Sequence, residues 1–136
     1  MNRKHIDTLI TYLMAIKHFA KHLHYNCSGE NFYSNHLFAD RFIIDFDDYI
    51  DQLKETCLLG YHFSPLHPDV YLKETAELIP GISDFNSIQL LMIDTLCFID
   101  NIPQLSRGSE DLIGTIAKDI QNNVGLLNTM FGEVKK

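Results

Sequence analysis

Apolar residues recur along this chain at the three-and-four spacing of amphipathic helices, and no run of useful length alternates as a strand does. The first stripe, Ile6, Leu9, Ile10, Leu13, Ile16, Ala20 and Leu23, predicts helix A. Its other face carries Tyr12, Met14 and Phe19, more apolar surface than a free monomer usually exposes, so part of it is expected to pack on another chain. Asn26, Cys27, Ser28 and Gly29 then read as a loop. A second helix, B, is predicted from about residue 32 to 59, with Leu37, Phe38, Phe42, Ile43, Ile44, Phe46, Tyr49, Ile50, Leu53 and Leu58 as core and Gly60 as its stop. Unbroken, it would be about 40 Å long.

Residues 61 to 83 hold Pro65, Pro68, Pro80 and Gly81, with one short helix expected over residues 69 to 78. A connection of that length suits a crossover. Helix C is predicted from Asp84 or Asn86 to about Asn101, carrying Ile88, Leu90, Leu91, Ile93, Leu96, Phe98 and Ile99. Helix D is predicted from about residue 109 to 131, with Ser109 as N-cap, Glu110 and Asp111 in the first turn and Gly132 as stop. Gly114 and Gly125 inside it imply close helix packing or contacts between chains. Four long helices with short A–B and C–D links and a long B–C crossover predict an all-α, ferritin-like four-helix bundle occupying residues 1–136 as a single domain.

Composition narrows the function classes. A chain of 136 residues with 46% hydrophobic content can bury a real core as one domain, so disorder is not expected. No stretch is long and apolar enough for a membrane span, and the first residues lack the apolar core of a secretory signal, which predicts a soluble, cytoplasmic protein with no membrane partner. Cys27, Cys57 and Cys97 are odd in number and far apart, which fits neither a disulfide framework nor a metal knuckle and leaves them as small buried hydrophobes. The net charge of −7 opposes direct DNA binding, which needs a basic face.

Chemistry concentrates in His24, near the end of helix A, and in His36, Asp40, Asp51 and Glu55 along helix B. A mixed set of imidazoles and carboxylates without thiolate suits iron, manganese or zinc. On an unbroken helix the four positions of helix B fall within an arc of about 100°. His24 and His36 are equidistant from Glu30, so an antiparallel A–B hairpin sets them side by side, with Asp40 one turn further on. Asp51 lies 11 residues beyond Asp40, roughly 16 Å along a helix, too far to share a metal within one chain. Two copies of helix B crossing antiparallel near residues 45 and 46 remove the difficulty. His36 and Asp40 of each then meet Asp51 and Glu55 of the other, giving two sites roughly 22 Å apart at a twofold interface.

The stretch from His24, Tyr25 and Asn26 through Gly29, Phe32, His36 and Asp40, followed by Asp51 and Glu55, resembles the Dps miniferritins, DNA-binding proteins from starved cells. That family's pattern is a His, an aromatic, Asn, a Gly-containing loop, Phe, a second His twelve residues after the first, Asp four later, Asp eleven later and Glu four after that. The resemblance is specific over about residues 6 to 60. It implies a dodecameric shell of bundles in which ferrous iron is oxidised between twofold-related chains, preferentially by hydrogen peroxide, with O2 as the alternative oxidant, and stored as ferric oxide. His24, His36 and Asp40 would bind from one chain, Asp51 and Glu55 from the other, with zinc or manganese as substitutes for iron. Such a ferroxidase would protect against oxidative damage. The chain departs from the family in having Tyr25 where Trp is frequent, no Trp at all, and only Arg3 and Lys4 where many relatives carry a lysine-rich arm for DNA; Lys135 and Lys136 form a short basic end. The region of residues 61 to 83 and helix C look shorter than usual.

Other readings stay open beside this one. An assembly protein whose metal only stabilises its dimer uses the same residues without turnover. His18 and His22 read as exposed polar residues, His62 and His67 as structural or idle loop residues without an identifiable partner, and Glu110 and Asp111 as either an ordinary helix start or, by analogy with the family, the lining of an acidic pore for cations.

Overall fold

The stripe that begins the chain folds as helix α1, Arg3–Asn26, and all its predicted core positions are buried. The computed structural model describes residues 3–81, 84–103 and 105–133, and the regular elements among them are helical. After α1 come α2 (Phe32–Arg41), α3 (Phe46–Glu55), a π-helical turn (Thr56–Gly60), α4 (Pro68–Leu78), a 3-10 turn (Ile79–Gly81), α5 (Phe85–Asp100) and α6 (Arg107–Phe131). None of the helices is long and apolar enough to cross a membrane, among the described residues. The short basic end at Lys135 and Lys136 lies outside the described residues.

Helix α1 is central and packs on α2, α3, α4 and α5, while α5 packs on α6. The face of α1 assigned above to another chain is largely covered from within. Phe19 is buried, and the Tyr12 ring lies 5.5 Å from that of Phe98 on α5. Ion pairs Lys17–Asp47 and Lys21–Asp40 and the His24–His36 contact step in opposite directions, so α1 and the α2–α3 segment run antiparallel. The α2–α3 segment is likewise antiparallel to α6: Asn123 Nδ2 donates to the Phe42 carbonyl at 3.2 Å, and Tyr49 Oη donates to Asp119 Oδ2 at 2.8 Å. Burial raises the pKa of both Tyr49 and Asp119, so this bond joins a neutral hydroxyl to a carboxyl held above its usual range. The crossover is tied to α1 by Tyr71, whose hydroxyl donates to Asp7 Oδ1 at 2.6 Å and accepts the Leu66 N–H at 3.1 Å.

Helix B is not one continuous helix. Between α2 and α3 the Ile43 N–H bonds the Asp40 carbonyl at 3.4 Å and the Phe46 N–H bonds the Ile43 carbonyl at 3.1 Å, each three residues back. That tighter winding adds about 20° of rotation per residue. Two adjacent β-branched residues, Ile43 and Ile44, weaken the local helix, and buried Asn123 stabilises the alternative by satisfying the Phe42 carbonyl. The far end also differs from expectation. The helical winding ends at Gly60 as expected, but it ends in a π turn, and the residue that takes the left-handed conformation is His62, at φ 59°. Leu37, Ile44 and Leu58, expected in the core, are exposed.

Helix starts follow side-chain capping. Ser106, not Ser109, caps α6; its hydroxyl accepts the Ser109 N–H at 3.4 Å, while Ser109 Oγ meets Tyr61 Oη at 3.1 Å. His67 is not idle, because its Nδ1 accepts the Asp69 N–H at the start of α4. Asp84 begins α5 in a capping box, accepting the Ser87 N–H at 2.8 Å while Ser87 Oγ accepts the Asp84 N–H at 3.0 Å. The Ser87 bonds, side chain first and backbone second, hold the Asp84 carboxyl below its ordinary value of 3.8. A lowered folded-state pKa contributes stability above the unfolded value and loses it as pH falls through the folded one. Asp84→Ala should therefore cost about 1 kcal/mol in urea unfolding at neutral pH, and the gap from wild type should close below the ordinary carboxylate range.

Gly114 and Gly125 face open space, with nothing within 4 Å of where a Cβ would stand, so close packing inside the chain is not their reason. Gly114→Ala and Gly125→Ala should each stabilise the chain by about 0.5–1 kcal/mol in urea unfolding. A loss instead would mean that another copy occupies this face of α6.

Candidate metal centre

The turn at Gly29, φ 85°, folds α2 back along α1 and brings the two histidines together. Their rings stack with centroids 3.6 Å apart and planes inclined by 20°. Each ring is fixed by the other residue's backbone: His24 Nδ1 donates to the His36 carbonyl at 2.6 Å, and His36 Nδ1 donates to the His24 carbonyl at 2.5 Å. A carbonyl only accepts, so each Nδ1 carries a proton, and Nε2 is the atom that holds the free lone pair in the neutral imidazole. Tyr25 stands edge-on to His24 at 5.0 Å, and Phe32 stacks on His36 at 5.2 Å.

Asp40 lies one turn beyond His36, but its carboxylate is turned to Lys21, with Oδ1 at 2.6 Å from Nζ. The Lys21 hydrogen bond is the main cause that holds this carboxyl below its usual range, and the Lys21 charge acts in the same direction. Lys21 was missed in the sequence reading. Its signal was there: a lysine three residues before His24 falls on the same face of α1.

Asp51 and Glu55 are exposed on α3, and Glu55 borders an open groove with Leu59 and Leu112. Among the described residues of a single chain, no group of three or more His, Cys, Asp and Glu side chains is placed to hold a metal ion. The geometry thus gathers His24 and His36, keeps Asp40 close but ion-paired, and leaves Asp51 and Glu55 apart from all three.

His22 receives Asn26, whose Nδ2 donates to the His22 carbonyl at 2.8 Å, and His18 is exposed. Cys57 is buried, with its thiol pushed up to about 11 by burial, but Cys97 is exposed, contrary to the expectation of a buried side chain. Glu110 and Asp111 are exposed on the first turns of α6. Comparison of the chain with known protein families, with curated proteins and with solved structures returned no match.

Proposed function

We propose that the protein is an iron-oxidising and iron-storing miniferritin of the ferritin-like, Dps type, whose metal centre is completed by a twofold-related copy of the chain. The observation that carries the reading is the reciprocal pair of bonds between His24 and His36, which leaves two imidazole Nε2 lone pairs side by side and rigidly oriented. Metal-bound histidines typically have the other ring nitrogen held in this way by a carbonyl or carboxylate. With Asp40 beside them and Asp51 and Glu55 supplied by the partner, the donor set is two nitrogens and three carboxylates, suited to ferrous and ferric iron and open to zinc or manganese.

The topology supports the same reading. Phe85, at the start of α5, lies near Phe38 and Phe42, so α5 begins at the same end of the bundle as α2, as a long crossover requires. Electrostatics supports a shared cation as well. The antiparallel register sets Asp40 of one chain against Asp51 of the next, and facing carboxylates are unfavourable without positive charge between them. In the free chain Lys21 supplies that charge to Asp40.

In this reading ferrous iron and hydrogen peroxide are substrates. The imidazoles fix the iron's position and the carboxylates balance the charge it gains on oxidation. Anaerobic addition of ferrous iron followed by peroxide should give ferric absorbance faster than in buffer, with less hydroxyl radical reaching a spin trap. No acceleration, together with a zinc-dependent rise in melting temperature, would replace this reading by that of a metal-stabilised assembly protein.

A further inference from the structure

Where α5 begins and α6 finishes, the side chains leave a pocket of about 340 Å³ that none of the proposed metal ligands lines. Phe85 and Phe131 form its apolar wall, with ring centroids 5.1 Å apart and planes inclined by 23°. Phe131 is 48% exposed, so the stack still offers aromatic surface to a ligand. The pocket closes round this wall because of Gly132. Its φ of 82° with ψ of −178° is a conformation that essentially only glycine adopts, and the turn it makes after α6 brings Glu133 to the same pocket as Asp84.

Gln89 supplies the buried polar group. It is 2% exposed, and its Nε2 donates to Asn128 Oδ1 at 2.5 Å and to the Val124 carbonyl at 3.4 Å. A carbonyl only accepts, which fixes the orientation of the amide. Oε1 accepts no hydrogen bond among the described residues, yet it is not sealed from solvent, which leaves it as an open acceptor on the pocket wall. A carboxamide oxygen so placed calls for a donor.

Charge decides what kind of donor. Glu133 and Asp84 are two carboxylates at one pocket, and the Ser87 bonds keep Asp84 ionised at neutral pH. The pocket also abuts the C-terminal end of α6, where backbone carbonyls without helical partners gather partial negative charge. At the start of α5, by contrast, Asp84 takes the Ser87 N–H, so that helix turns a capped end to the pocket. Among the described residues no lysine, arginine or histidine lines it. The wall therefore suits a group with a positive charge, several N–H donors and no acceptor, which describes a primary ammonium. A hard metal ion suits it less, since such an ion takes six or more oxygens around it and part of this wall is aromatic.

We propose that this pocket binds a primary ammonium group on an aliphatic stem, its N–H donors shared among Gln89 Oε1 and the carboxylates of Asp84 and Glu133, with the stem lying across Phe131. The ligand class is a small alkyl amine. An ammonium beside an aromatic ring and an aliphatic stem along apolar surface are both favourable contacts. The site needs neither iron nor a second copy of the chain, so it stands or falls apart from the proposed function.

The test is a titration of the isotope-labelled full chain with n-butylammonium chloride at about 0.15 M salt, which screens loosely held ions. The amide NMR signals of Gln89, Gly132 and Glu133 should shift together and saturate, whereas n-butanol, of like size without the charge, should not saturate them. Glu133→Gln should weaken binding about tenfold, and so should Asp84→Asn, which keeps a good N-cap, because each removes one charge-assisted hydrogen bond. Asp111→Asn, at the far end of α6, should leave it unchanged. No saturable shift, equal binding of the alcohol, tighter binding of calcium chloride, or wild-type affinity in both Glu133→Gln and Asp84→Asn would overturn the proposal. Lys135 and Lys136 carry the same chemical group. In Lys135→Gln with Lys136→Gln, unchanged affinity assigns the pocket to a free amine, and a gain of about threefold or more assigns it to the chain's own lysines, whose occupancy lowers the apparent affinity of wild type.

Discussion

A chain carrying Asp51→Ala and Glu55→Ala should oxidise ferrous iron with peroxide at least about a hundredfold more slowly than wild type, because loss of an outer-shell partner alone costs 10–100-fold at metal sites and these are ligands in the proposed centre. The measurement is the initial rise of ferric absorbance after peroxide is added anaerobically. Both side chains are exposed and hold no core position, so the fold should survive, with unfolding free energy changed by no more than about 0.5 kcal/mol. In the proposed dimer the change also removes carboxylates that would face Asp40 across the twofold, so a metal-free dimer should be as tight as wild type or tighter, while any rise in melting temperature caused by zinc should vanish. Wild-type rates in this variant would show that iron is oxidised elsewhere or without these residues.

The largest loss of stability is expected from Phe42→Ala. Phe42 is fully buried where α2 ends, its ring 4.7 Å from that of Phe38 and 6.3 Å from that of Phe85 on α5, and its carbonyl takes the Asn123 bond from α6. Removing a buried Phe side chain costs about 3–5 kcal/mol, the lost transfer free energy plus the cavity left behind. Against a typical total of about 5–15 kcal/mol this is a large share. The thermal midpoint should fall by about 10 °C or more, and urea unfolding should give the free energy directly. A loss below about 1 kcal/mol would mean that the three helices do not converge on this ring.

Much of the helical pattern was legible because it is local. Every position of the predicted α1 stripe is buried, though Ala15 and Phe19 join it, and the loop ending at Gly29 and the short helix ending at Leu78 stand where spacing and turn chemistry put them. The side-by-side placement of His24 and His36 was also legible, since equal distances from the turn in an antiparallel hairpin leave no other neighbour. The mutual Nδ1 bonds were not, because they depend on the depth and angle at which α2 meets α1. Leu37, Ile44 and Leu58 were assigned to the core because apolar periodicity shows which residues avoid water without showing what covers them.

The sequence by itself determined the helices, the loop that pairs the first two, and five candidate ligands at spacings that one chain cannot bring to one point. Hydrophobic periodicity, glycine and proline positions and helix rise are properties of near neighbours along the chain. Only the tertiary structure decided that helix B tightens at residues 42–45, because the donor that satisfies the Phe42 carbonyl comes from Asn123, 81 residues away. It also decided that Lys21 holds Asp40 and that the apolar residues flanking the ligands face outward, since both depend on which helices cover α2 and α3 and which side they leave open.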